Sequence, residues 1–172
     1  MKIKANLIGE KVFSNTAEAK SLHTNSSFGE ISGEKVFYTL SEALYLVNNK
    51  KMEIYNHQEK KLTEPEILKK FNRIDKNFKI KYLVFKDLRK KGYLVKPALK
   101  FGAEFRVYEK GKKVGKAHSK WIVFPVSENK TLTWQDFSAK NRVAHSTKKN
   151  LLIAVVDEEN DVSYYEVKWT KP

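Results

Sequence analysis

LLIAVV, the uninterrupted apolar run at 151–156, limits how this chain can fold more than any other feature. Neither face of a strand built from it tolerates water, so the run must lie in a sheet covered on both sides. Six residues make a strand but fall far short of the ~18 needed to cross a membrane, and the comparable run WIVFPV at 121–126 is no longer. Two-sided cover calls for helices, and the sequence marks where they start. Thr39 with Glu42, Thr63 with Glu66 and Thr133 with Asp136 have capping-box spacing, and Pro65 sits in a first turn that tolerates it. The spacing of Phe78, Tyr82, Phe85 and Leu88 predicts another helix, closed by Arg89, Lys90 and Lys91 in its last turn and by Gly92. Strand patterns lie at 2–7 and 34–38, parted by a Ser/Asn/Gly-rich turn at 24–29, and again at 93–96, 104–108, 121–124, 151–156 and 162–169. The fold class expected is α+β, with a small α+β domain over 1–77 and a second domain over 78–172.

Charge separates these halves. The net charge is +14; residues 1–77 carry 13 Lys+Arg against 10 Asp+Glu, whereas residues 78–172 carry 21 against 10. A field concentrated in one half attracts polyanions, RNA and DNA among them; the plainer reading is the solvated surface of a heat-adapted protein. Zero Cys excludes disulfides and thiolate metal sites and fits a reducing cytoplasm. The positive opening MKIK is followed by no signal-peptide core, and no membrane association is expected.

The densest basic stretch, RVYEKGKKVGKAHSKW at 106–121, sets Tyr108 and His118 ten positions apart with Glu109 as its single acid. Gly111, Gly115 and Lys116 do not make a phosphate loop, since three residues separate the glycines and Ala117 follows the lysine. The acids of the second half gather at 157–161 rather than forming the Asp/Glu cluster of a two-metal nuclease, so no metal site and no cofactor are expected. RNA cleavage by the substrate's own 2′-hydroxyl needs a proton acceptor, a proton donor and a fixed cation for the non-bridging oxygens. A histidine suits the acid near neutrality; a tyrosine serves as base only where neighbouring cations favour its phenolate. Lys148 and Lys149, at the start of the 151–156 strand, are both candidates for the cation.

The run YLVFKDLRKKGYLVKPALKFGAEFRVY, then HSKW, then NRVAHSTKKNLLIAVVD, resembles the catalytic domain of the archaeal tRNA-splicing endonucleases, also called tRNA-intron endonucleases. The likeness covers about residues 78 to 170, and the first 77 fit the family's small N-terminal domain less distinctively. It implies a catalytic domain with a central mixed β-sheet flanked by helices. It places the family's Tyr, His and Lys on Tyr108 as general base, His118 as general acid and Lys149 as the cation at the pentacovalent transition state. Products would be a 2′,3′-cyclic phosphate and a 5′-hydroxyl, formed without metal from precursor tRNA at a bulge-helix-bulge. Lys148 would face the other way if this stretch is extended, and His145 is expected to be a surface or packing residue. Arg142, seven residues before Lys149, matches an arginine that grips a flipped bulge base; its aromatic partner would be Tyr164 ahead of Trp169. Short chains carrying both domains resemble the homotetrameric branch, in which the acidic turn of Asp157, Glu158, Glu159 and Asp161 would dock into a partner's basic cleft. The last strand would offer an edge for pairing between subunits. The competing expectation is a non-catalytic RNA-binding or scaffolding subunit.

Overall fold

A computed structural model describes residues 2–112 and 114–172; Met1 and Lys113, the latter inside the basic run, lie outside them. The fold is α+β, with five α-helices and two five-stranded sheets, each mixed, among the described residues. The chain forms two compact units, Met1–Tyr82 and Leu83–Pro172, and the change of unit falls within one helix, Phe78–Lys90.

The first unit runs β1 (Ile3–Ile8), β2 (Lys11–Ser14), α1 (Ala17–Ser26), β3 (Glu30–Ser32), β4 (Lys35–Tyr38), α2 (Leu40–Asn48), β5 (Met52–Tyr55) and α3 (Glu64–Ile74). Its sheet has the order β3-β4-β2-β1-β5, with only β1 and β5 parallel. At Thr39 both halves of the capping box form: Glu42 N–H donates to Thr39 Oγ1 at 3.2 Å and Thr39 N–H to Glu42 Oε2 at 3.0 Å. The other Glu42 oxygen accepts from Gly29 N–H at 3.0 Å, so a buried carboxylate ties the start of α2 to the loop before β3. Gly29 is required there: its φ is +71°, and a Cβ would lie 2.6 Å from Val36 Cγ1. Helix α1 replaces part of the turn expected at 24–29. Thr16 caps it by accepting from Ala19 N–H, but Ala19 is its one buried residue, so it carries almost no apolar stripe.

The second unit begins in α4 (Phe78–Lys90), which ends at Gly92 with φ +88°. There follow β6 (Leu94–Pro97), a 3-10 turn at Leu99–Phe101, β7 (Phe105–Tyr108), β8 (Trp121–Ser127), α5 (Trp134–Ser146), β9 (Asn150–Val156) and β10 (Val162–Val167). The order is β10-β9-β8-β7-β6; β8 and β9 are parallel, joined through α5, and the other pairs are antiparallel. The apolar run of β9 lies between β8 and β10. Leu151 and Ile153 pack with Ile122, Ala144 and Phe137 on the α5 side, while Leu152 faces the opposite side with Trp121 and Leu88. Complete burial of a Leu or Ile stabilises by roughly 1.5 to 3 kcal/mol, and Ile122 and Leu151 are both fully buried. Among the described residues no helix is long and apolar enough to cross a membrane.

Candidate active site

Strand β7 brings Arg106 and Tyr108 to one face of the sheet, because side chains two apart on a strand point the same way. The register Arg106↔Ile122 and Ile122↔Leu151 carries that face across β8 to β9. Lys149, two residues before Leu151, enters from the turn that joins α5 to β9. Its amide donates to Ala144 O at 2.9 Å and its Nζ to Thr147 O at 3.1 Å, which ties the ammonium to the end of α5. Lys148 is different. Its φ is +55°, so it sits in a left-handed turn rather than an extended strand, with its side chain exposed.

The segment after β7 folds back over this face. Tyr108, His118 and Lys149 line a single cleft of about 370 Å³, together with Arg106, Lys116 and Phe101. Tyr108 is 3% exposed, at the base of the cleft, whereas His118 is exposed. The described residues offer no hydrogen-bond partner to either side chain. Lys149 Nζ lies 5.8 Å from the Phe101 ring centre, and Arg106 Cζ lies 5.9 Å from that of Tyr108. Among the described residues no carboxylate lines the cleft. Glu109, the one acid of the basic run, accepts from Lys120 Nζ at 2.9 Å, and that hydrogen bond holds it below the usual carboxylate range. Among the described residues no group of three or more His, Asp or Glu is placed to hold a metal ion. The cleft can therefore receive an anion, hold it against fixed cations and move protons through a phenol and an imidazole.

Arg106 was not singled out from the sequence, although its place two residues before Tyr108 was legible by strand alternation. Its Nε is buried and has no hydrogen-bond partner among the described residues, a state that costs about 1 to 3 kcal/mol or more for a charged donor.

The residues expected to bind RNA or to mediate assembly lie outside this cleft. Arg142 is exposed on α5, outside the cleft lining. Three residues on, His145 packs against Trp169 in a tilted arrangement, their ring centres 4.7 Å apart and their planes at 51°. Trp169 is 58% exposed and open to a ligand. Tyr164 occupies the opposite face of the sheet, in a pocket of about 270 Å³ with Leu88, Tyr93 and Trp121, and donates its hydroxyl to Asp87 Oδ2 at 2.6 Å. Burial, then this hydrogen bond, pushes its phenol well above the usual tyrosine range. The acidic turn is exposed except at Asp157 and is braced from within: Asp161 N–H donates to Asp157 Oδ1 at 2.9 Å, and Asn160 adopts φ +69°. Strand β10 forms one edge of its sheet.

Residues 78–164 match the model of the tRNA intron endonuclease catalytic C-terminal domain, and residues 3–68 that of the tRNA intron endonuclease N-terminal domain. The chain is 44% identical to the tRNA-splicing endonuclease of Pyrococcus abyssi (strain GE5 / Orsay) across 96% of its own length and 95% of the relative's. Identity to the tRNA-splicing endonuclease of Thermococcus kodakarensis is 44%, over 96% of both chains, and to that of Methanothermobacter thermautotrophicus 38%, over 91% of both. Both family domains, in order and spanning nearly the whole chain, place it in the tRNA-intron endonuclease family, the tRNA-splicing endonucleases.

Proposed function

We propose that this protein excises introns from precursor tRNA at bulge-helix-bulge sites by metal-independent attack of the ribose 2′-hydroxyl on the adjacent phosphorus. The observation that carries the reading is the shared cleft of Tyr108, His118 and Lys149, rich in cations and, among the described residues, lined by no carboxylate. As the 2′-oxygen to phosphorus bond forms, Tyr108 Oη takes the 2′ proton. As the bond from phosphorus to the 5′-oxygen breaks, His118 supplies a proton to the departing oxygen. Lys149 offsets the charge gathering on the non-bridging oxygens. The ends left are a 2′,3′-cyclic phosphate and a 5′-hydroxyl.

Around this centre, Arg142 grips a bulge base against an aromatic ring contributed within a homotetramer. The exposure of Trp169 favours it over Tyr164, whose hydroxyl is committed to Asp87. The turn bearing Asp157, Glu158, Glu159 and Asp161 docks on a basic surface of a neighbouring copy, and the place of action is the cytoplasm. The test is end-group analysis of bulge-helix-bulge RNA incubated with the purified protein in excess chelator. Cyclic phosphate ends, with a rate lowered roughly 10²- to 10⁴-fold by His118→Ala, are expected. Cutting only after magnesium is added would sink the mechanism, and binding without cutting would point instead to a scaffolding subunit.

A further inference from the structure

Among the described residues, Arg106 and Lys116 are the cations of the cleft lining that the three-residue mechanism leaves without a role, and of the two only Arg106 stands on a strand, Lys116 being exposed in the segment after β7. Arg106 reaches the cleft from the middle of β7, backed by Ile122 on β8, so its base cannot swing away as a surface loop residue would. Its Nε is buried without a hydrogen-bond partner among the described residues, and none of the described residues lining the cleft beside it is a carboxylate. Buried donors in folded proteins are nearly always paired, and an unpaired one at the wall of an open cleft has room for a ligand, an ion or a water to complete it. A planar fork of donors suits one kind of ligand best: a tetrahedral oxyanion with two oxygens to offer.

We infer that Arg106 is a phosphate clamp and a further catalytic residue, binding a non-bridging oxygen of the scissile phosphate on the Tyr108 side while Lys149 holds the Phe101 side. The inference rests on the cleavage reading above. One cation from strand β7 and one from the turn before β9 fix the phosphoryl group in two directions, as in-line attack by the 2′-oxygen requires, whereas Lys149 alone leaves it free to turn about one contact. The clamp transfers no proton and forms no bond to phosphorus.

The experiment compares wild type, Arg106→Gln and Arg106→Lys, all full length, on bulge-helix-bulge RNA carrying a single phosphorothioate of either configuration at the scissile position. Arg106→Gln is expected to lower kcat by roughly 10²- to 10³-fold, as removal of one oxyanion donor does, and Arg106→Lys to recover part of that loss. The ratio of rates on the two diastereomers should change in Arg106→Gln, because one oxygen has lost its partner. Folding alone would not move that ratio. Cutting by Arg106→Gln within twofold of wild type overturns the clamp, and so does slower cutting with the diastereomer ratio unchanged. Should Arg106→Gln melt far below wild type, the ratio measured for Arg106→Lys decides in the same way. Failure of the wild-type protein to cut would instead remove the cleavage reading itself.

Discussion

Replacing Tyr164 by Phe removes one oxygen and leaves the ring in place, which isolates the bond from its hydroxyl to Asp87. A hydrogen bond to a charged acceptor contributes about 1.5 to 3 kcal/mol. The lower end applies here, because Asp87 is 30% exposed and keeps Lys91 as an ion-pair partner, so its carboxylate is not orphaned. A loss of about 1.5 kcal/mol in a unit of roughly 90 residues corresponds to a fall of roughly 6 to 12 °C in Tm. Alkaline pH supplies a second reading with a definite sign. The phenol is raised in the folded state, so its contribution is complete below the free tyrosine value of about 10 and is lost as pH climbs above it. Melting followed by circular dichroism at pH 8 and at pH 11 should therefore show wild type well above Tyr164→Phe at the first and the two closer together at the second. Equal melting at pH 8, or a gap that widens on the alkaline side, would refute the assignment of Tyr164 to packing on α4.

Three further outcomes are expected. Thr133→Ala breaks the capping box of α5, in which Asp136 N–H donates to Thr133 Oγ1 at 3.1 Å, and should cost about 1 kcal/mol by urea titration, with Thr133→Ser restoring it; an unchanged midpoint refutes the cap. Glu53 is held down at about 2 by hydrogen bonds from Lys61, then Lys2, then Tyr55, so its contribution is present above its ordinary value near 4.5 and fades as pH falls toward 2. The difference in Tm between wild type and Glu53→Gln should accordingly shrink between pH 6 and pH 3, and a constant difference contradicts it. Replacing Asp157, Glu158, Glu159 and Asp161 together by Ser should convert tetramers to dimers in light scattering if the turn docks between copies; an unaltered mass rejects that contact.

Much of the fold was legible because its signals are local. Capping boxes at Thr39, Thr63 and Thr133 bring their partners together within one helical turn, so three residue types at fixed spacing mark a helix start. The apolar run at 151–156 likewise demanded cover on both faces and became a strand flanked by β8 and β10. Helix α1 was missed because its one buried side chain is Ala19; it is held by a cap at Thr16 and by tertiary context, with no apolar period to read.

What the chain alone could determine was which chemistry was present: a phenol, an imidazole and an ammonium amid cations, with the acids gathered elsewhere. Which side chains share a cleft was decided by strand register and by one turn. Lys148 and Lys149 are adjacent and chemically identical, yet the left-handed backbone at Lys148 turns one lysine to solvent and brings the other to the cleft. Pairing of Tyr164 with Ala154 sends that ring to the α4 face, away from the cleft. Register and turn conformation are set by the packing of distant segments, and a change of one residue in either would exchange the faces of every side chain that follows.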